Sequence, residues 1–277
     1  MPHLTCSIVL YKHAPVFVQP LISSIMACTK VSRLYLVDNS PTNALNILAN
    51  DERIDYIFNN ANMGYGAAHN IAMRKAVTFA RYHIVINPDI AFKPGTIENI
   101  LSYMEQHADV GHIMPKLIYP NGNIQYACKL LPAPADLIFR RFLPGALIKK
   151  RMYRFEMRGS SYNKITQVPY LSGSFMFLRL EAVSKAGFFD ERFFMYPEDI
   201  DLTRRIHRLY KTIFYPYVEV VHRHERASYK NAKLFLIHLI NIIKYFNKWG
   251  WVFDSERKAV NKKTEAQYRA PVSKLIH

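Results

Sequence analysis

Three acidic side chains cluster where a predicted helix begins: Glu198, Asp199 and Asp201. Pro197 precedes them and suits the first turn of a helix, where its missing N–H costs nothing. Acidic residues are favourable at this end because the first backbone N–H groups of a helix lack partners and are partly positive. Residues this close on a helix point in different directions, so one carboxylate can face a reactant while another holds the turn.

The same segment also fits an ordinary helix start with no chemical role. Leu202, Ile206 and Leu209 have the spacing of a buried stripe on an amphipathic helix, and such helices often open with acidic residues. From this segment alone, both alternatives stay open.

Polar groups follow three short apolar runs in the first half of the chain, at Tyr11–His13, Asp38–Ser40 and Asn87–Asp89. In an open parallel sheet covered by helices, ligands bind beyond the carboxyl ends of the strands, so these groups would share one rim. Asp38 could accept hydrogen bonds from a base or a sugar, and Asp89 could bind a divalent cation through a hard oxygen atom. The sequences that begin at Asp38 and at Asn87 are also good turns, but two apolar strands that both end in aspartate are a stronger joint signal.

The glycine-containing segment 62–70 is a further candidate contact. Gly64 and Gly66 allow a close approach of the backbone at a predicted helix start, which suits a diphosphate. The segment lacks the spacings of the dinucleotide fingerprint and of the P-loop, and packing of small residues against the sheet is the alternative.

His222 follows the apolar run Ile213–Val221. A single histidine near a strand end is usually structural. The chain between Asp199 and His222 is nevertheless long enough for a helix and a returning strand, which could bring His222 back to the same rim.

The elements that would position these residues alternate along the first half. Strands are predicted at Cys6–Tyr11, Leu34–Val37, Ile54–Phe58, His83–Ile86 and Val110–Pro115, and helices at Val16–Cys28, Gly64–Ala80 and Pro94–His107. Short apolar strands that alternate with helices predict an α/β fold with a parallel sheet covered on both faces. The second half is predicted to contain a long strand over Val168–Leu178, a helix over Leu180–Ala186 and a strand over Ile213–Val221.

Composition narrows the class of protein. The 277 residues can form one large domain with appendages, and half of them are hydrophobic, which excludes a disordered chain. A net charge of +16 indicates an acidic partner: nucleic acid, an anionic membrane surface or a phosphorylated small molecule. The three cysteines are scattered and favour a reducing compartment, and no signal peptide is recognisable.

Two regions carry much of the positive charge. Residues 130–160 are rich in arginine, lysine and proline and predict a mobile basic excursion from the domain 1–225. Residues 226–277 predict a basic amphipathic helical tail in which Trp249 and Trp251 lie beside Lys248, as at a membrane interface. We expect Lys244, Lys248, Arg257 and Lys258 to face an anionic membrane. The alternative is a helix packed on the domain or against a second subunit.

In their order along the chain, these motifs resemble a family-2 glycosyltransferase of the GT-A fold, in the branch of bacterial rhamnosyltransferases of surface-polysaccharide assembly. The matching pieces are Ser7–Tyr11, Val37–Ser40, Asn62–Gly66 with Asn70, Asn87–Asp89, Ser172–Met176, Gly187–Glu191, Glu198–Leu202 and His222. The resemblance implies an α/β fold with a Rossmann-like nucleotide-binding half, a mixed central sheet and a C-terminal amphipathic helical tail.

The resemblance also implies roles for individual residues. Asp199 is expected to be the catalytic base and Asp38 a nucleoside contact, while Asp89 and His222 contact a Mg²⁺ or Mn²⁺ ion that bridges the donor's diphosphate. The other implied nucleotide-sugar contacts are Tyr11, Asn62, Gly64, Asn70, Asn87, Gly173 and Glu198. The usual Asp-x-Asp metal motif is Asn87-Pro88-Asp89 here, so its first carboxylate is missing.

The expected activity is an inverting transfer of a sugar, with rhamnose as the first choice, from a dTDP- or UDP-sugar to a polyprenyl-diphosphate-linked glycan of O-antigen or capsule synthesis. The enzyme would lie on the inner face of the cytoplasmic membrane, as a monomer or an oligomer. A galactofuranosyl or other UDP-sugar transferase is the alternative donor class. A nucleic-acid-binding protein is less favoured because no recognised motif is present, and an inactive scaffold because Asp89 and Asp199 are retained.

Overall fold

A nine-stranded mixed sheet forms the centre of the protein in a computed structural model that describes residues 3–138, 145–223 and 232–268. The strands are β1 (Leu4–Leu10), β2 (Val31–Asp38), β3 (Ile54–Phe58), β4 (Tyr82–Ile86), β5 (Ile90–Phe92), β6 (Val110–Ile118), β7 (Cys128–Lys129), β8 (Thr166–Gln167), β9 (Tyr170–Leu171), β10 (Phe175–Arg179) and β11 (Lys211–His222). The helices are α1 (Pro15–Met26), α2 (Tyr65–Ala76), α3 (Thr96–Gln106), α4 (Pro134–Leu137), α5 (Gly145–Phe155), α6 (Leu180–Ala186), α7 (Glu198–His207), α8 (Ala232–Trp249) and α9 (Ser255–Ala266), with 3₁₀ turns at Ala44–Leu48 and Arg158–Ser160.

The strand order in the central sheet is β3-β2-β1-β4-β10-β6-β11-β5, and β8 pairs with β11. Strands β1 to β4 are mutually parallel, which confirms the α/β prediction for the first half. Strand β10 is antiparallel to both β4 and β6, and β5 is antiparallel to β11, so the sheet as a whole is mixed. The parallel register pairs Leu10 with Asp38 and Asp38 with Phe58, which places the polar ends of these strands on one rim.

Helices cover both faces of this sheet, and its inner strands are buried on both sides. Buried side chains of α1 and α3 pack on one face, and those of α2, α6 and α7 pack on the other. Helix α2 is rich in buried alanine, which lets its backbone lie close to the strands. In α7 the predicted stripe is confirmed at Leu202 and Ile206 but is wrong at Leu209, which follows the helix and is 55% exposed.

The predicted long strand Val168–Leu178 is wrong. Strands β9 and β10 are separated by a turn at residues 172–174, and β9 pairs with β7 in a second, two-stranded sheet. The physical reason is that the backbone N–H of Gly173 bonds to a side chain, while only Ser174 continues the register of β10 with β4. The N–H of Gly173 donates to Asp199, and the carbonyl oxygen of Ser174 accepts from Asn87.

The described part of the basic excursion is helical. Helix α5 buries Ile148, Met152 and Phe155, and its Arg154 forms a 2.7 Å ion pair with Glu265 of α9. The excursion is thus joined to the C-terminal tail, which sequence reasoning did not anticipate. Residues 139–144 of the excursion lie outside the described residues, as does the predicted domain boundary at 225–226.

The tail forms two helices that pack on the domain, as the alternative interpretation had it. Ile242, Tyr245 and Phe246 of α8 are buried, and Asn241 donates to the carbonyl oxygen of Met195. Over the described ranges 3–138, 145–223 and 232–268, none of the helices has the length and apolar character needed to cross a bilayer.

Two residues expected at a membrane face the protein instead. Lys248 forms ion pairs with Asp190 and Asp201, at 2.8 and 2.7 Å. Arg257 is buried and donates to the carbonyl oxygen of Pro132. The prediction that Lys248 and Arg257 face a lipid surface is therefore wrong.

Four buried polar side chains form a hydrogen-bonded chain between strands β1 and β4 and helix α2. The hydroxyl of Ser7 lies 2.7 Å from Nδ1 of His69 and 2.7 Å from Nε2 of His83, and Thr5 lies 2.7 Å from Nδ1 of His83. All four side chains are fully buried, so a protonated imidazole here would be an unsolvated charge. Burial accordingly lowers the pKa of His69 well below its ordinary value.

We expect acid to destabilise this fold through its buried histidines. Burial lowers the pKa of His83 and of His112 from the ordinary 6.5 to about 3, so only the unfolded chain takes up these protons in mild acid. The free energy of unfolding should be fully retained above pH 6.5 and fall toward pH 3, by up to about 1.4 kcal/mol per pH unit for each histidine.

Urea unfolding followed by circular dichroism from about pH 8 to about pH 4 measures this slope. His112→Gln should flatten it, whereas His3→Gln, at an exposed position, should leave it unchanged. Equal slopes for both variants and the unaltered protein would contradict the explanation.

Candidate active site

The turn at residues 172–174 lies at the centre of the site. Gly173 donates its backbone N–H to Oδ2 of Asp199 over 3.0 Å, and its carbonyl oxygen accepts a 2.7 Å hydrogen bond from the hydroxyl of Tyr65. A Cβ atom at position 173 would lie 3.0 Å from Cβ of Asp199, which is tighter than ordinary contact. The turn therefore positions Asp199 through the backbone, and glycine is what permits the approach.

The neighbouring carboxylates Glu198 and Asp199 have different electrostatic environments. Burial raises the pKa of Asp199, while the Gly173 N–H and the charge of Lys129 oppose the rise. Burial raises the pKa of Glu198 well above its usual range, and repulsion from Asp199 adds to this. Asp199 accepts hydrogen bonds from the backbone N–H groups of Gly173 and Ile200, whereas Oε2 of Glu198 is buried without a partner among the described residues. The site therefore favours the ionised form of Asp199 and the neutral form of Glu198.

Asp201 has a structural role. It is fully buried, and its Oδ2 accepts a 2.9 Å hydrogen bond from Arg205 of the same helix. Its Oδ1 accepts from Lys248 at 2.7 Å and from the indole N–H of Trp249 at 2.8 Å. Two cations neutralise this charge, so Asp201 stabilises the helix start and its contact with α8.

Asp89 and His222 converge as their strand ends predicted. Oδ2 of Asp89 lies 3.3 Å from Nε2 of His222, and both side chains are largely buried. The pairing of β5 with β11 brings them together, and the backbone N–H of Arg223 donates to the carbonyl oxygen of Asp89.

Gln125 orients the imidazole of His222. Its Nε2 donates to the carbonyl oxygen of His222 over 2.6 Å, so its Oε1 must be the atom that lies 2.9 Å from Nδ1 of the ring. An amide oxygen only accepts, so Nδ1 carries a proton. In the neutral ring, Nε2 then directs a lone pair toward Asp89.

Two acceptor atoms that face each other at 3.3 Å repel unless a proton or a cation lies between them. A carboxylate oxygen and an imidazole nitrogen held in this way fit a divalent cation that takes its other ligands from a diphosphate and water. Within the described ranges, the protein has no group of three or more His, Cys, Asp or Glu side chains that could hold a metal ion by itself.

The segment that carries Asp89 and the helix that carries Asp199 both bond to the turn at residues 172–174. Asn87, which stands where the usual first carboxylate is missing, donates its backbone N–H to the carbonyl oxygen of Ser174 over 2.9 Å. Burial raises the pKa of Tyr65 well above its usual value, and the carboxyl groups of Glu198, Asp199 and Asp89 add to the rise. The prediction that Asp89 and His222 meet at one rim is therefore confirmed, and the turn at residues 172–174 links their segment to Asp199.

Asp38 lies at the same rim but is already engaged. It is fully buried, Oδ1 accepts from the backbone N–H of Ser40 over 2.8 Å, and Oδ2 accepts from the hydroxyl of Tyr56 over 2.6 Å. Tyr11, at the end of β1, is 44% exposed. The nucleoside role of Asp38 and the sugar-nucleotide role of Tyr11 stay predictions.

An asparagine network joins the ends of β2 and β3 to the segment before α2. Asn39 accepts from Asn59 over 2.8 Å and donates to Asn62 and to the carbonyl oxygen of Gly64. Asn62 in turn accepts from the backbone N–H of Gly64 over 3.1 Å. Asn62 and Gly64 thus form part of the wall of the site.

The structure corrects the expected role of Asn70, which was a direct contact with the sugar nucleotide. Asn70 is fully buried, accepts from the N–H of Phe189 and donates to the carbonyl oxygen of Phe189 and to Glu191. All its polar atoms are used within the protein, so it ties α2 to the segment that leads into the catalytic helix.

Sequence reasoning missed Gln125, Tyr56 and Tyr65 as site residues. Gln125 precedes β7 in an irregular segment, and its bonds to His222 cross nearly a hundred residues. No local pattern marks such a partner. Tyr56 belongs to no recognised motif. Side chains alternate between the two faces of strand β3, however, and this alternation could have placed Tyr56 on the same face as Asp38.

Comparison with known proteins identifies the class. A sequence profile described as "Glycosyltransferase like family 2" matches residues 5–236, and the chain belongs to this family of glycosyltransferases. It is 27% identical over 255 residues to the N-acetylglucosaminyl-diphospho-decaprenol L-rhamnosyltransferase of Mycobacterium tuberculosis strain H37Rv, with 82% of each chain covered. It is 24% identical over 240 residues to rhamnosyltransferase WbbL of Escherichia coli K12, covering 83% of this chain and 87% of that protein.

Solved structures confirm the predicted GT-A fold. The mannosyltransferase PcManGT from Pyrobaculum calidifontis, in complex with GDP-Man and Mn²⁺, superposes with a TM-score of 0.62 at 16% identity, over 96% of this chain and 70% of that one. GalNAc-T7 with UDP, GalNAc and Mn²⁺ superposes with a TM-score of 0.60 at 15% identity, over 79% of this chain and 42% of that one.

The backbone conformation of Gly64 and its close contact with Phe194 lead to a prediction about stability. Gly64 has φ of +86°, and a Cβ atom there would lie 2.2 Å from the carbonyl oxygen of Phe194, in the segment before the base. Gly122 has nearly the same φ, +82°, with open space around it. Gly122→Ala should cost about 1 kcal/mol of unfolding free energy for the left-handed backbone alone, and Gly64→Ala about 2 kcal/mol more for the clash.

Urea unfolding of the two variants at equal pH measures the difference directly. Equal losses would show that the segment around Phe194 moves away without cost, and Gly64 would then not define the wall of the site.

Proposed function

We propose that this protein is an inverting rhamnosyltransferase that uses a dTDP-sugar donor and a polyprenyl-diphosphate-linked glycan acceptor. The observation that carries the proposal is the turn at residues 172–174, which contacts both Asp199 and the segment that ends in Asp89. The two curated relatives named above support the sugar, and the decaprenol compound in one relative's name supports the lipid-linked acceptor.

In this mechanism Asp199 removes the proton of the acceptor hydroxyl. The acceptor oxygen attacks the anomeric carbon of the donor sugar from the face opposite the diphosphate, and the bond from that carbon to the diphosphate oxygen breaks. The hydroxyl proton passes to a carboxylate oxygen of Asp199, and the electron pair of the broken bond leaves with the diphosphate. A raised pKa makes Asp199 a stronger base than an exposed aspartate, which favours this transfer.

Asp89 and His222 would hold a Mg²⁺ or Mn²⁺ ion, with Gln125 fixing the imidazole. Such an ion supplies positive charge to the departing nucleoside diphosphate. Asn87 contributes its backbone to the turn and no negative charge.

We assign the rim around Asp38, Asn62 and Tyr11 to the nucleotide. A base N–H could bond to Asp38 if the hydroxyl of Tyr56 moves aside, since that hydroxyl occupies Oδ2. The protein would work at the inner face of the cytoplasmic membrane in the assembly of O-antigen or capsule.

We expect Asp199→Asn to lower turnover at least about 10²-fold while donor binding stays near normal, because only the proton acceptor is lost. The measurement uses dTDP-rhamnose with a soluble lipid-diphosphate glycan analogue, and UDP-galactofuranose as the competing donor. Glu198→Gln, which keeps the neutral form of that side chain, is the matched control and should retain most activity.

Three results would contradict parts of this proposal. Turnover with UDP-galactofuranose alone would replace the donor. Loss of activity in Glu198→Gln but not in Asp199→Asn would move the base to Glu198. No transfer from any nucleotide sugar would reject the function.

We expect transfer to require a divalent metal ion, and we expect Gln125 to set the affinity for that ion through His222. A chelator in excess should abolish transfer, and Asp89→Ala should do so in the presence of metal. Gln125→Ala should raise the Mn²⁺ concentration that gives half-maximal rate by about 10–100-fold, because the imidazole loses its orienting partner, with the maximal rate largely restored at high Mn²⁺. Gln267→Ala, at an exposed glutamine in the tail, is the control. Full activity in excess chelator would rule out the cation.

A further inference from the structure

The connection between α8 and α9 presents three consecutive apolar residues to solvent. Trp251, Val252 and Phe253, here called the apolar tip, are 37%, 69% and 91% exposed. Burying such side chains is the main favourable term in folding, so three adjacent ones left in water need an explanation.

The apolar tip is held in place by a glycine turn before it and by a buried ion pair after it. Gly250 precedes it with φ of +97°, and a Cβ atom there would lie 2.6 Å from the carbonyl oxygen of Phe253. Asp254 follows it, caps α9 by accepting from the N–H of Arg257, and receives two hydrogen bonds of 2.8 and 2.9 Å from Arg204. The side chains of Asp254 and Arg204 are almost fully buried, so the tip is a fixed turn.

Lysines follow the tip on the exposed face of α9. Lys258, Lys262 and Lys263, here called the lysine face, are exposed and form no ion pair with the residues that the structure describes. The acidic residues of the same helix point elsewhere: Glu256 pairs with Arg204 and Arg208, and Glu265 with Arg154. The charge on the exposed face of α9 is therefore wholly positive.

Helix α8 carries a second set of exposed apolar residues. Leu236, Ile240 and Ile243 are exposed at a spacing that places them along one side of the helix. The same helix contacts the segment before the base, where the ring of His238 lies 5.1 Å from that of Tyr196.

We propose that the apolar tip and the lysine face form a docking surface for an anionic lipid bilayer. Apolar side chains that enter the acyl boundary, with lysines at headgroup level, match the chemistry of interfacial membrane binding. Nucleic acid would be recognised by the lysines but gives no reason to expose Val252 and Phe253. The inference rests on the proposed function, since a lipid-linked acceptor lies in such a bilayer, and it replaces Lys248 and Arg257 as membrane contacts.

The test measures binding of the full chain to vesicles of phosphatidylcholine with about 30% phosphatidylglycerol, at low salt. Replacing all three lysines of the lysine face with glutamine should weaken binding about five-fold for each lysine. Val252→Ser with Phe253→Ser should weaken it at least about ten-fold. Lys30→Gln, Lys75→Gln and Lys164→Gln together, and separately Ile47→Ser, alter exposed residues elsewhere and should leave binding unchanged.

Transfer to a soluble acceptor analogue, measured on the same variants, separates this inference from the proposed function. Weakened vesicle binding with unchanged soluble transfer supports the docking surface. Soluble transfer by a protein that ignores the vesicles, or that binds them equally well in all variants, overturns the surface and leaves the function standing. Vesicle binding that follows the variants without any transfer overturns the function and keeps the surface. Loss of a self-associated form in Val252→Ser with Phe253→Ser, without vesicle binding, would make the tip an interface between two copies.

Discussion

The contact between the backbone of Gly173 and the carboxylate of Asp199 is the constraint on which the site depends. A Cβ atom at residue 173 would lie 3.0 Å from Cβ of Asp199, so only glycine allows this approach without a shift of the neighbouring atoms, and the contact forms where the chain passes from β9 of the small sheet to β10 of the central one. Once that turn exists, its other polar atoms bond to Tyr65 and to Asn87. One short interruption of a strand thereby fixes the base, the wall of the site and the segment that carries Asp89.

The buried charge of Asp201 has a comparable effect on the tail. An uncompensated carboxylate in the interior would be strongly destabilising, and here it is neutralised by Arg205 within the helix and by Lys248 from α8. Trp249 adds a hydrogen bond and stacks its ring against Arg204, 4.0 Å from the guanidinium carbon. Helix α8 therefore supplies part of the positive charge that neutralises Asp201 in the catalytic helix. In this respect the tail belongs to the catalytic domain and is not a separate appendage.

Much of the fold and the chemical identity of the site could be predicted from the sequence, because both rest on local patterns. Apolar strands with polar ends predicted the parallel half of the sheet and the convergence of Asp89 with His222. Gln125 could not be predicted, because its role arises only when β11 brings His222 beside a distant irregular segment. The role of Asn70 was misjudged because a motif shows which residue is present but not whether its amide faces a ligand or the neighbouring backbone.

The missing first carboxylate of the metal motif agrees with the rest of this geometry. An asparagine at position 87 leaves one carboxylate and one imidazole, too few ligands to bind Mg²⁺ or Mn²⁺ tightly without oxygen atoms from a diphosphate. In the proposed mechanism those oxygen atoms arrive with the donor, so the protein needs mainly to orient its two ligands, which Gln125 and the pairing of β5 with β11 do. A second carboxylate at position 87 would strengthen binding of the bare ion, but it would also add a negative charge next to the turn that holds Asp199. That charge would raise the pKa of Asp199 further, so the asparagine favours a base that is ionised at neutral pH.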